Sequence, residues 1–201
     1  RGRVLELEGG QDAVWLIRNR DTVMDQEGHP DQTISFWFKA RDNQKRQVLY
    51  AQGFHMAGFN LYLFEGRLYA GSWAPVDGRV SDWFPIYGRN FPGHWVSVDG
   101  IQTGRWYHVA LVLRDATTEV RDGAQFLYLD GRLVATGPGV RIPRQYGTAR
   151  LGVGPIGNDL LTRFHDGETD VRKLTKFRGC LSDFRFSHDS GEPAIGKNKE
   201  R

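Results

Sequence analysis

Short runs in which every second residue is apolar recur along the whole of this chain. That two-residue period belongs to β-strands, whose side chains alternate between two faces. In TISFWFKA (residues 33–40), Ile34, Phe36 and Phe38 share one face, while Thr33, Ser35, Trp37 and Lys39 take the other. The stretch FNLYLFEGRLYAGSW predicts a hairpin: a strand over 59–64, a Glu65-Gly66 turn and a strand over 67–73. QFLYLDGRLVA predicts a second hairpin, in which Asp130-Gly131 suits a two-residue turn with positive φ. WYHVALVLRD (106–115) and FRGCLSDFRFS (177–187) each read as one strand, and shorter strands are expected over 3–7, 13–17, 47–52 and 149–152.

No segment carries a long 3.6-residue apolar period with caps, so no major helix is expected. The 25 glycines supply the tight turns that such a strand-rich chain needs. About ten strands joined by hairpins imply two packed sheets or a barrel. Two stretches, 74–104 and 154–176, are too long for tight turns. Long ordered connections on a rigid sheet scaffold are where binding usually resides.

The 201 residues suit one domain with a full core. No run of about eighteen apolar residues exists, so no membrane insertion is expected. The net charge is only +3 and the arginines are scattered, which argues against nucleic acid as a partner. Cys180 is the single cysteine, so no internal disulfide can form, and it reads as a small core residue. The chain opens on Arg1 with no leader pattern, so it reads as a domain excised from a longer protein. A globular unit is expected over 1–188, and the polar end GEPAIGKNKER reads as a linker or tail over 189–201.

The order of the motifs carries a resemblance. LELEGGQDAVWLI, TISFWFKA, GRWYHVALVLRD, FLYLDGRLVATG and FRGCLSDFRFS follow one another as in laminin G-like domains of the concanavalin A-like superfamily, over nearly the full length. The resemblance implies an all-β fold, a two-sheet antiparallel β-sandwich of the jelly-roll kind. It implies an extracellular or cell-surface, non-catalytic module for adhesion or carbohydrate recognition. The lack of cysteine pairs leans the source toward a bacterial surface protein. Two positions depart from the family pattern. Many bacterial relatives carry Ile-Asp-Glu in the closing strand, where the Asp helps to hold a structural calcium. Here Leu181, Ser182 and Asp183 stand there instead. In extracellular animal relatives the closing-strand Cys pairs with a later one, and Cys180 has none to pair with.

The candidate ligand site is the aromatic stretch SWAPVDGRVSDWFPIYGRNFPGHW. Trp73, Trp83, Tyr87 and Trp95 are the expected platforms, with Arg79 and Asp82 as polar contacts. Sugar rings offer apolar C–H faces and polar edges, so their sites need flat aromatic surfaces beside hydrogen-bonding groups. The alternative is that these rings form a satellite core beneath a long loop. For calcium, which takes six to eight oxygen ligands, the candidates are Gly9 with Asp183, and the alternating Asp166, Glu168 and Asp170. A solvated acidic turn is the plainer reading of the latter group.

Enzymatic readings fit less well. Glucanases of this superfamily use carboxylates at alternate positions of a buried strand. Here Glu6-Leu7-Glu8 lacks a third carboxylate, and the run from Asp166 to Asp170 is interleaved with Gly and Thr. Tyr107 and His108 are adjacent, hence on opposite faces, and His108 reads as a satisfied sheet histidine rather than a catalytic base. The expected partner is therefore a glycan or other cell-surface ligand, the alternatives being a protein, a neighbouring domain of the same chain or, third, a glycan-cleaving role.

Overall fold

The computed structural model describes residues 3–9, 14–17, 31–53, 58–73, 93–115, 123–140, 148–152, 162–168 and 176–187. The strands are β1 (Val4–Glu8), β2 (Val14–Ile17), β3 (Gln32–Ala40), β4 (Gln47–Gly53), β5 (Gly58–Phe64), β6 (Arg67–Trp73), β7 (Gly93–Val98), β8 (Tyr107–Arg114), β9 (Gly123–Leu129), β10 (Arg132–Gly139), β11 (Thr148–Leu151) and β12 (Arg178–Ser187). Among the described residues there is no helix, and hence none long and apolar enough to cross a membrane.

The strands form two antiparallel six-stranded sheets, β1-β12-β3-β8-β9-β10 (sheet A) and β2-β11-β4-β5-β6-β7 (sheet B). The all-β sandwich that the family resemblance implies is thus the observed fold, and of the two packed sheets or barrel that the alternation allows, the two sheets form. Each predicted strand appears, with ends within about two residues except in the second hairpin. There β9 begins at Gly123 and β10 runs on to Gly139. Both predicted hairpin turns also form: Glu65 and Gly66 have φ of 50° and 76°, and Asp130 and Gly131 have 50° and 76°. Two successive positive φ values match the right-handed twist of the flanking strands, which is why Gly takes the second position. One expectation is corrected. The stretch 74–104 is not all loop, because β7 lies within it and pairs with β6 along the edge of sheet B.

The core lies between the sheets. Ile34, Phe36 and Phe38 of β3 meet Leu49, Tyr50, Phe59, Leu61 and Leu63 from sheet B, all buried. Phe184 of β12 bridges the layers, with its ring 6.1 Å from Phe36 and 5.5 Å from Tyr50. Burial drives the Tyr50 phenol well above its usual pKa, so it stays neutral and donates to Gln52 Oε1 at 2.6 Å. Polar groups also span the layers: Gln125 donates to His94 O at 3.0 Å, and the Ser72 hydroxyl accepts from Val140 N at 3.1 Å.

Candidate functional site

The face of sheet B turned away from the core is aromatic. The register sets Tyr62 opposite Tyr69, Asn60 opposite Gly71, Gly71 opposite Trp95, and Trp73 opposite Gly93. Alternation then places all of these on the outer face, because their neighbours Leu61, Leu63, Leu68, Ala70 and Val96 fill the core. The Tyr62 and Tyr69 rings stack at 4.9 Å and 7°, while Trp73 and Trp95 stack at 6.4 Å and 11°. Trp73 and Gly93 pair at the end of the β6–β7 ladder, beside the tryptophan pair.

Trp73 is fully buried, which corrects its expected role as an open platform. It lies beneath the outer surface, close against Gly58, and serves as the floor for Trp95. Trp95 is half-buried and lies over Gly71 and Gly93, whose missing side chains make room for the indole. It also packs on a satellite cluster of Val48, Ala51, Tyr62, Tyr69 and Phe164, so a satellite core does form beneath part of this face. Arg79, Asp82, Trp83 and Tyr87 lie outside the described residues.

Residues 162–168 lie across the same face as a strap. Asn60 Nδ2 donates to Thr162 Oγ1 and to the Arg163 carbonyl, both at 2.6 Å. The Tyr62 hydroxyl accepts the His165 backbone N–H at 3.1 Å and lies 2.7 Å from His165 Nδ1. Burial raises the Tyr62 pKa far above the ordinary phenol range, so its own proton is available to Nδ1. That arrangement requires a neutral imidazole carrying its proton on Nε2. Burial lowers the His165 pKa and favours the same state. The ring also stacks on Tyr69 at 4.2 Å. Phe164 meets the Tyr62 ring edge-on at 4.9 Å.

The strap is anchored by charge as well. Arg46, only 4% exposed, places its guanidinium 4.3 Å from the Phe64 ring centre and 4.5 Å from that of Phe164. Its Nη2 lies 2.5 Å from Asp166 Oδ2, and the Glu168 backbone N–H donates to Asp166 Oδ1 at 3.1 Å. Burial alone would raise the Asp166 pKa. The Arg46 hydrogen bond, the Glu168 N–H and the nearby positive charges outweigh it and hold the carboxyl below its usual value. Asp166, one of the calcium candidates, is thus the counter-charge of a buried arginine, and Glu168 contributes its backbone N–H to that carboxylate. Asp170 lies outside the described residues.

Gly9 and Asp183 do not share a site either. Val4 pairs with Ser182 and Glu8 with Arg178, so Gly9 and Asp183 sit beyond opposite ends of this ladder. At about 3.3 Å per residue they are on the order of 15–20 Å apart. The Arg178 side chain packs against Gly9, and Arg41 binds the carboxylates of both Glu6 and Glu8. These residues therefore do not fit the implied calcium, since two cationic side chains already occupy the neighbourhood. Among the described residues, no three His, Cys, Asp or Glu side chains gather as metal ligands would.

On the outer face of sheet A, His108 is buried and its ring lies 5.2 Å from that of Trp37. Its backbone N–H donates to Asp130 Oδ1 at 2.9 Å, but the ring Nδ1 has no partner, so the histidine is not fully satisfied as expected. Burial lowers its pKa against the opposing effect of Asp130. Tyr107 faces the core, its hydroxyl accepting from Gln102 N at 2.9 Å. The two adjacent side chains therefore point to opposite faces.

The family model of the laminin G type, within the concanavalin A-like lectin/glucanases superfamily, matches residues 9–190, and the chain belongs to that superfamily. No curated protein sequence matches it. Among solved structures, it is similar to domains LG4-5 of the mouse laminin alpha1 chain (TM-score 0.59, 13% identity, covering 92% of this chain and 42% of that one). It is also similar to the CBM40 of a Ruminococcus gnavus sialidase bound to alpha2,3 sialyllactose (TM-score 0.58, 16% identity, covering 93% and 90%). The botulinum neurotoxin serotype D binding domain is a further neighbour (TM-score 0.53, 13% identity, covering 93% and 38%). These likenesses concern the fold, and the chain spans about two fifths of the laminin and neurotoxin structures.

Proposed function

We propose that this domain is a non-catalytic module that binds carbohydrate on the outer face of sheet B, as part of an extracellular, multidomain bacterial protein. One observation carries the reading. Trp95, half-buried and braced by the buried Trp73, lies on the outer face of sheet B, and in this proposal Arg79, Asp82, Trp83 and Tyr87, from the connection between β6 and β7, complete the site. A braced indole beside polar side chains suits the apolar face and polar rim of a sugar ring. The kinship with binding domains supports the reading, as does the extracellular setting typical of laminin G-like domains. Absence of catalysis is part of the proposal: Glu6 and Glu8 are tied to one arginine on an exposed edge strand, an arrangement unlike a facing acid and nucleophile.

A glycan array probed with wild type, Trp95→Ala and Trp83→Ala tests this. Wild type should bind a defined set of glycans, and both variants should lose at least tenfold in affinity, about the effect of removing one stacking platform. An array without wild-type binding, or equal binding by all three proteins, would overturn the assignment. Reducing-end release from a polysaccharide panel would overturn its non-catalytic part.

A further inference from the structure

We propose that His94 is an acid-sensitive latch for the edge strand β7, so that protonating it frees Trp95 and lowers ligand affinity, a regulation that rests on the carbohydrate reading above. β7 borders sheet B, and among the described residues it pairs with β6 alone. Val96 is its one buried residue, so little apolar burial holds the strand in place. Alternation divides His94 and Trp95 between two faces. Trp95 lies on the outer face, whereas His94, like its partner Ser72, points into the layer between the sheets. There the Ser72 hydroxyl lies 3.4 Å from Oε1 of the buried Gln125 of sheet A, whose Nε2 donates to the His94 carbonyl at 3.0 Å. Two neighbouring residues of one edge strand thus carry the ligand platform and a titratable ring.

The His94 Nε2 is enclosed and has no hydrogen-bond partner. A neutral imidazole tolerates this, because its proton can reside on Nδ1 and leave Nε2 a bare lone pair. The imidazolium carries a proton on each nitrogen. Its Nε2–H is then a charged donor between the sheets with nothing to accept it, a costly arrangement. The strands packed against β7 are β6, β9 and β10. Near the ring they present Ser72, Gln125 and the uncharged run 133–139. The charged residues of these strands are Arg67 and Arg132, each about 15 Å along its strand from the level of His94, and Arg67 is paired with Asp99. No carboxylate of these strands therefore offsets the charge. Burial lowers the His94 pKa in keeping with this geometry. The latch is fully closed above the ordinary value of 6.5 and yields as pH falls through the lower folded value, because charging favours a state in which β7 has parted and the ring reaches water.

The test follows the full chain, labelled with ¹⁵N, from about pH 7.5 to about pH 5. Backbone amide exchange over 93–98, corrected for its intrinsic pH dependence, should rise about ten- to thirtyfold, the gain of an ordinary histidine on charging. The amides of β3 and β8 should stay protected. The Trp95 indole signal, assigned by its loss in Trp95→Phe, should change with the same midpoint as the His94 ring signal. His94→Gln, which cannot charge, should abolish the rise, and His108→Gln should not. On the glycan array, wild type should bind at least about tenfold more weakly at the acid end, and His94→Gln should bind alike at both ends. The latch is overturned if exchange over 93–98 ignores acid, if His94→Gln responds as wild type does, or if all strands open together. Where His94→Gln fails to fold, a wild-type His94 ring that titrates while β7 stays closed overturns it equally. Opening of β7 in a chain that binds no array glycan at either pH overturns the carbohydrate reading and leaves the latch standing. Trp95-dependent binding that is equal at both pH values overturns the regulation and leaves the carbohydrate reading standing.

Discussion

Gly179, within the closing FRGC motif, shows why a single residue type is demanded at one place. Its φ is 153°, and a Cβ there would fall on the Lys39 carbonyl oxygen, a backbone atom that cannot step aside. Gly179→Ala should therefore destabilise the domain by about 2–4 kcal/mol, combining backbone strain with overpacking. A urea unfolding midpoint unchanged from wild type would contradict this. The motif is visible in the sequence, but the reason for its glycine is not, since Lys39 is 140 residues away in the chain. The same holds for Trp73 and Trp95. Their ring chemistry is legible at once, whereas which ring is floor and which is surface depends on the register of β6 against β7. Asn60 escaped sequence reasoning because a lone asparagine in a strand carries no spacing signal. An uncharged amide at an outward position within FNLYLF was the single available hint.

At the scale of elements, the strap over residues 162–168 is held by contacts whose strength depends on pH and charge. Asp166→Ala removes the carboxylate facing the buried Arg46 guanidinium. Breaking a fully buried pair costs about 3–5 kcal/mol. Asp166 is itself 38% exposed, so solvent softens the loss to about 1–3 kcal/mol, measurable by denaturant titration. The sign with pH follows from the depressed Asp166 pKa: its contribution is complete above the ordinary aspartate value and disappears as pH falls through the lower folded value.

The histidines act in the same direction at milder acidity. Burial lowers the pKa of His94, His108 and His165, so each supports the fold fully above the ordinary value of 6.5 and withdraws that support as pH falls through its folded value. Around His165, Asp166 and Glu65 favour protonation, while Arg46 and Arg67 oppose it. Protonating Nδ1 would also end its role as acceptor for Tyr62. Stability should fall as the pH is lowered from about 7.5 to about 5. His165→Phe should flatten part of that slope, and a slope identical to wild type would remove His165 from the account. Among the elements themselves, β7 was the strand hidden from the sequence. GHWVSV alternates weakly, with one buried residue in six, because an edge strand with a half-covered outer face needs no strong apolar pattern.

For the molecule as a whole, the first strand pairs with the last, and β1 forms one edge of sheet A beside Arg41. The carboxylates of Glu6 and Glu8 there are already met by that arginine. Chelation should consequently leave the melting transition unchanged, because a ligand bound only to the folded state is what raises apparent stability. A transition that drops with chelator and recovers with calcium would show that ligands beyond the described residues bind the metal. What the sequence by itself determined here is local: the two-residue period marks the strands other than β7, and Glu65-Gly66 and Asp130-Gly131 fix two reversals of direction. Those signals need only neighbours in the chain. What the tertiary structure decided is which outward faces meet and which charges are answered, as when Arg46 finds Asp166 at a separation of 120 residues. Such pairings depend on how the strands are ordered within each sheet, a global outcome of packing that no local pattern encodes.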